Sequence, residues 1–174
     1  MLSLSDDKVE YKSVKISELE FIPCQACGKA PTPEYCFYDD DMSSVYNDLA
    51  SCDAFLFGSP VYFDSVSAQA KAFIDRCNCM RPANFGGTHG NRKFVKLLNR
   101  RIPGGIVLVG GENCWFEGAR RTIAGFFKWI EIENTGLVTY DSRDYEKKGT
   151  VSQDSGSIGD ARNLGVRMAS MIGK

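Results

Sequence analysis

Cys24 and Cys27 form a C-x-x-C pair, and eight residues separate Cys27 from Cys36. Three thiols this close in sequence can hold a metal ion or exchange electrons as a dithiol. Each use carries a further requirement. A structural zinc needs a fourth ligand, and the sole histidine, His89, lies far along the chain. A reactive dithiol needs a depressed thiol pKa, and Pro23 before the pair, with no helix start after it, lends none. Seven cysteines, an odd number, argue against a fully paired disulfide framework and for thiols in a reducing compartment. Cys77 and Cys79 stand two apart near an expected helix end, so they face different sides and read as packing residues. His89 has no companion acid or nucleophile, and no Ser/His/Asp or paired-carboxylate pattern is legible.

Two loops offer a different chemistry. Ala54 to Phe57 reads as a short strand buried on both faces, and Gly58-Ser59-Pro60 is expected to stop it. Val66, Ala70, Phe73, Ile74 and Cys77 then share one helical face, with Ser65 as the expected N-cap. Gly105 to Val109 is a second buried strand, and its exit loop is GGENCWFEG, Gly110 to Gly118. In open parallel sheets, ligands sit on the loops that leave the carboxyl ends of strands.

The remaining elements must position these loops. Lys8 to Ile16 alternates loosely and is expected as a strand. Asp39, Asp40 and Asp41 start a helix carrying Met42, Val45, Tyr46 and Leu49 inward. Met80 to about Asn91 is a loop, and Lys93 to Arg100 a short helix. Ile123, Phe126, Phe127 and Ile130 mark another helix, and Leu137 and Val138 a third short strand. The last helix begins near Ser157 and turns Ala161, Leu164, Gly165 and Met168 inward. Strands alternating with helices predict an α/β fold with a parallel sheet covered on both faces. The 174 residues amount to one domain, without internal repeat or linker.

The run GSPVYFDSVSAQAKAFIDR, Gly58 to Arg76, resembles the segment after the third strand of NAD(P)H-dependent FMN reductase-like proteins, the iron-sulfur flavoproteins among them. The resemblance extends from about Lys8 to the C-terminus. It implies a flavodoxin-like open parallel sheet with FMN at its carboxyl edge. By that resemblance Ser59, Pro60, Val61, Tyr62 and Phe63 border the isoalloxazine ring, while Gly110, Gly111, Glu112 and Asn113 line its other side. A flat ring wants apolar and aromatic walls with backbone donors for its polar edge, and Trp115 could cover it. The implied reaction passes hydride from NADH or NADPH to FMN and on to a small acceptor. The alternatives are an iron-sulfur flavoprotein carrying electrons between redox protein partners, or a degenerate module without flavin. Homo-oligomerisation is expected, since subunits of such proteins often complete one another's flavin sites.

Two departures qualify the resemblance. Family members begin with a strand, a Gly/Ser/Thr-rich phosphate loop and a helix, and nothing of this kind precedes Lys8. The expectation is therefore a sheet lacking its first βα unit. Either the sequence is an incomplete version of a longer protein, the preferred reading, or the Lys8 segment takes the vacant place beside Ala54 to Phe57. FMN is then expected to bind weakly, because several charge-assisted hydrogen bonds worth ~1.5–3 kcal/mol each are forfeited. The second departure concerns the cysteine loop, which in iron-sulfur flavoproteins carries four clustered cysteines. Cys24, Cys27 and Cys36 match three of them, and Ala30 stands where the fourth is expected. A cluster would need a fourth thiolate from Cys52, Cys77, Cys79 or a partner subunit; otherwise the loop is the remnant of a cluster site.

Composition sets bounds. A formal net charge of −1 predicts no overall attraction to nucleic acid or acidic membranes. No apolar run approaches the ~20 residues of a membrane span and no signal peptide opens the chain, so a cytoplasmic location is expected. Arg76, Arg81, Arg92, Lys93, Lys96, Arg100 and Arg101 fall in a stretch without acidic residues. That excess reads as a solvated surface first, and as a meeting point for NAD(P)H phosphates or an acidic oligomer neighbour second.

Overall fold

The computed structural model describes residues 9–27, 36–80, 100–144 and 147–172. Within them four strands form one sheet in the order β2-β1-β3-β4. Strand β1 is Phe55–Tyr62, β2 Ser65–Val66, β3 Ile102–Gly110 and β4 Ile132–Asp141. The pairs β1–β3 and β3–β4 are parallel, and β1–β2 is a short antiparallel hairpin. Four α-helices accompany the sheet among the described residues: α1 Met42–Ser51, α2 Ala68–Arg76, α3 Glu117–Trp129 and α4 Ser155–Ala169. This is a flavodoxin-like α/β arrangement. No helix of the described residues is long and apolar enough to cross a membrane.

The larger core lies on one face of the sheet, where α1, α2 and α3 pack against β1 and β3. Met42, Val45, Tyr46 and Leu49 recur at helical spacing and are all buried, as their periodicity requires. Phe57 meets Phe73 of α2 and Phe126 of α3 with ring centroids 5.7 and 5.9 Å apart. The other face carries a smaller core in which Leu164 and Met168 of α4 cover Val138 and Val107. Gly104 permits the tight fit of α3, since a Cβ there would stand 2.2 Å from Ile132 and 2.7 Å from the Phe127 ring. Leu56 and Val109 on the α4 face are exposed.

Several expectations need correction. Strand β1 runs past Gly58-Ser59-Pro60 to Tyr62. Along Phe55 to Pro60 its outer edge has no strand partner among the described residues, a place where a strand tolerates proline. Residues from Val9 to Lys15 form no strand. They lead into a 3₁₀ turn, Ile16–Glu18, and the apolar Ile16, Leu19 and Phe21 pack on the larger core. Burial against the helices thus outcompetes sheet pairing, and the Lys8 segment does not flank β1. Ser65 and Val66 belong to β2, and Ser67 is the N-cap of α2, accepting from Ala70 N–H at 3.2 Å. Asp154, not Ser157, caps α4. The loop from Arg81 and the Lys93 helix lie outside the described residues.

Candidate functional site

Strand register decides which loops can meet. Ser59 pairs with Leu108 and Leu108 with Thr139, so β1, β3 and β4 end at one edge. There β1 turns back through Phe63 and Asp64, at φ 52° and 56°, into β2. Positive φ at both central residues is what a tight I′ hairpin demands. Asp64 Oδ1 accepts a hydrogen bond from Gly118 N–H at 2.9 Å, tying this turn to the start of α3. Gly118 is a cradle: a Cβ there would stand 2.2 Å from the carbonyl oxygen of Asp64. After β3, Cys114 N–H closes a turn onto Gly111 O at 3.1 Å with Asn113 at φ 55°. Ser142 N–H, after β4, donates to Gly110 O at 2.9 Å. Three loops are fastened together at the carboxyl edge.

The nine loop residues singled out in the sequence fall into two groups. Ser59 and Val61 are buried. Ser59 Oγ accepts from Ser67 N–H at 3.0 Å and donates to Pro60 O at 2.7 Å, so this hydroxyl shapes the hairpin from within. Gly110 is also buried, and the space its missing side chain leaves is filled by Cys114, whose Sγ would lie 2.4 Å from a Cβ. Gly111 is half-buried. Pro60, Tyr62, Phe63, Glu112 and Asn113 are exposed, and with Trp115 they form the solvent side of the edge. Tyr62 is 60% and Trp115 77% exposed, an unusual state for such large aromatic side chains. Asp64, Cys114 and Gly118 were missed. The only available signals were an acid following two aromatics and a glycine opening a helix, neither diagnostic alone.

The edge suits one end of a flavin better than the other. Exposed aromatic side chains and the exposed backbone turn of Gly111, Glu112 and Asn113 are the kinds of group that wall a flat ring and meet its polar edge. A phosphate would need unspent helix N-termini. At each of α2, α3 and α4 one such donor is already engaged: Ala70 N–H by Ser67, Gly118 N–H by Asp64, and Gly156 N–H by Asp154 at 3.0 Å. Between the β4 exit and α4 lies an open cleft of about 490 Å³ lined by Tyr140, Asp141, Arg143, Thr150, Gln153 and Ser157. Burial, with the Asp141 carboxylate adding to it, raises the Cys114 thiol pKa above its ordinary value.

The cysteine loop lies elsewhere. Cys24 and Cys27 are exposed, and Cys36 is half-buried with its Sγ 3.6 Å from Arg76 Nη2. Among the described residues no three His, Cys, Asp or Glu side chains are placed to hold a metal ion. Arg76 departs from the solvated basic surface expected of its stretch. It is 2% exposed, and its guanidinium binds both carboxylate oxygens of Asp40, at 2.6 and 2.9 Å, and Ile22 O at 2.6 Å. Burial works to lower the Arg76 pKa, but the Asp40 hydrogen bonds, together with Tyr46, Cys36 and the Asp40 charge, hold the group above its usual value. Cys77 is buried as expected. Cys79 donates to Arg76 O at 3.3 Å, and burial pushes its thiol up to about 12. Arg100 pairs with Asp53, and Arg101 is exposed. Arg81, His89, Arg92, Lys93 and Lys96 lie outside the described residues.

Comparison with known proteins agrees with this geometry. The model of a family described as NADPH-dependent FMN reductase matches residues 2–113. The chain is 27% identical over 166 residues to an iron-sulfur flavoprotein of Methanosarcina thermophila, covering 89% of this chain and 80% of that one. It is 32% identical over 158 residues to an iron-sulfur flavoprotein of Methanocaldococcus jannaschii, covering 86% and 74%. Among solved structures, the Trp repressor binding protein from Bacillus subtilis superposes with a TM-score of 0.52 at 21% identity, over 71% of this chain and 75% of that one. A flavone reductase superposes with a TM-score of 0.63 at 12% identity, over 90% and 50%. At such identities the solved structures speak to the fold.

Proposed function

The chain belongs to the NADPH-dependent FMN reductase family, and from that membership we propose that it works as a single-domain flavin oxidoreductase whose site is the carboxyl edge of the sheet. A flavin-dependent oxidoreductase is what the family and its flavoprotein relatives support. The finer reading is that FMN is the resident flavin, NADH or NADPH the donor, and a small molecule or redox protein the acceptor. Bound there, the flavin supplies acceptance of hydride from a nicotinamide and onward electron transfer. The chain's own residues do the rest. Tyr62 and Phe63 would wall one side of the ring, and the backbone of Gly111, Glu112 and Asn113 would meet its polar edge. Ser59, buried beneath, would hold the hairpin that carries the two aromatics. Trp115 would exclude water, and its exposure suits a second subunit closing the site.

The observation that carries the reading is the convergence of loops, with Asp64 bonded to Gly118 and Ser142 to Gly110. A general acid or base is not required for hydride transfer to a flavin. The test is optical. Titration with FMN at equilibrium should change the flavin fluorescence saturably, and the bound flavin should bleach on anaerobic addition of NADPH or NADH. No saturable change up to high FMN concentration would remove the proposal.

A further inference from the structure

We propose that this chain holds no iron-sulfur cluster, and that its cysteine loop is fastened by the guanidinium of Arg76 instead of by metal. A four-iron cluster is held by four thiolates. Cys24, Cys27 and Cys36 supply three, and their loop contains no further cysteine. No other thiol of the described residues makes up the shortfall. Cys77 is fully buried in the larger core, and Cys79 turns its Sγ onto Arg76 O at 3.3 Å. Cys52 ends α1, where its Sγ donates to Leu49 O at 3.3 Å, and Cys114 packs on Gly110 at the carboxyl edge. Even the three loop thiols do not converge, for no three metal-ligating side chains among the described residues come together.

What the loop has in place of metal is a buried cation. Arg76 closes α2, and its guanidinium reaches Ile22 O before the first cysteine and the Sγ of Cys36, the last one. It also binds Asp40 through two oxygens and lies 5.8 Å from the ring centres of both Phe21 and Tyr38. One side chain thus clasps both ends of the loop that a cluster would otherwise order. Such a bidentate, stacked contact is specific to arginine. Its Nε is buried without a partner among the described residues, so the side chain is committed to this clasp at a cost. The consequence for electron flow rests on the flavin reading: electrons would leave the flavin directly for an acceptor, without a metal relay.

The test separates metal from flavin. Full-length protein is purified anaerobically, incubated with ferrous iron, sulfide and reductant, and desalted. The Methanosarcina thermophila iron-sulfur flavoprotein goes through the same steps as the positive control. Iron and acid-labile sulfide are measured chemically, and FMN separately after acid release, so a failure to bind flavin leaves the metal measurement unaffected. The expected result is iron and sulfide at background while the control loads. Native alkylation with mass-spectrometric readout should modify Cys24 and Cys27 readily and Cys36 at least about tenfold more slowly. Arg76→Lys should erase that difference by freeing Cys36. Stoichiometric iron and sulfide in the wild-type chain would overturn the proposal, as would Cys24 and Cys27 being as protected as Cys36.

Discussion

Two glycines of helix α3 should respond to alanine with opposite signs. Gly125 is exposed, and a Cβ there meets nothing within 4 Å. Gly125→Ala should therefore show the ordinary helix-propensity gain, ~0.5–1 kcal/mol. Gly118 begins the same helix, but its added Cβ would stand 2.2 Å from Asp64 O, and the contact must widen by about 0.8 Å to reach 3.0 Å. Overpacking of that order costs ~1–3 kcal/mol, and the propensity gain offsets at most ~1 of it. A net loss of up to ~2 kcal/mol at an m-value of roughly 2 kcal/mol/M lowers the urea midpoint by up to about 1 M. Gly125→Ala should raise it by about 0.3–0.5 M on the same scale. Because the strain falls between the two site loops, Gly118→Ala should also weaken FMN binding in a fluorescence titration, and Gly125→Ala should not. Two glycines that respond alike, with FMN affinity untouched, would refute the claim that the Asp64 turn and the α3 start close upon each other.

Arg76→Met strands Asp40 and should cost ~3–5 kcal/mol in urea unfolding, the usual penalty for breaking a buried pair. Ser59→Ala leaves the buried Ser67 N–H without its acceptor and should cost ~1–3 kcal/mol, read as a lowered midpoint. With their folded pKa values raised, the Cys77 and Cys79 thiols contribute stability present below the unfolded value of about 9 and lost as pH climbs toward the folded value, about 12 for Cys79. Urea midpoints measured from pH 8 to 11 should therefore fall on the alkaline side, and less steeply in Cys79→Ala; a flat profile would contradict the burial of these thiols. Since a side chain already engages an N–H at each of the three helix starts, riboflavin should bind within about tenfold of FMN by fluorescence titration. A far larger preference for FMN would mean that a phosphate site lies outside the described residues.

Helix α1 was readable because Met42, Val45, Tyr46 and Leu49 each repeat at helical spacing, and all four face the core. The same holds for Leu164, Gly165 and Met168 of α4, and for β3, whose run of β-branched and aliphatic residues has no polar interruption. The β1–β2 hairpin was hidden because its turn is Phe63-Asp64, without the Asn-Gly or Asp-Gly pair that usually announces positive φ. Pro60 misled in the same region, since proline marks a strand end only where both edges must be paired. Arg76 looked like one charge in a basic stretch, and nothing local distinguishes it. Its partners Ile22, Cys36 and Asp40 lie 36 to 54 residues away, so burial depended on tertiary contacts that no spacing encodes. The site loops were legible as strand exits, whereas the contacts joining them were not.

Those joining contacts also hold backbone strain at the carboxyl edge. Phe63, Asp64 and Asn113 all hold positive φ, and of these Phe63 has no side-chain hydrogen-bonding group to ease the conformation. Left-handed backbone at non-glycine residues costs roughly 1–3 kcal/mol each and persists only where the surroundings over-determine it. Here they do. Val61 and Val66 close the hairpin into the core, Ser59 ties its strand to the α2 cap, and Asp64 locks it to α3. The outcome is an aromatic pair, Tyr62 and Phe63, held out into solvent on a turn that cannot relax inward. Large rings kept exposed at the expense of backbone strain are poorly explained by stability alone. They are well explained by a planar ligand or a second subunit that covers them, and the carboxyl edge of a parallel sheet is where such a ligand binds.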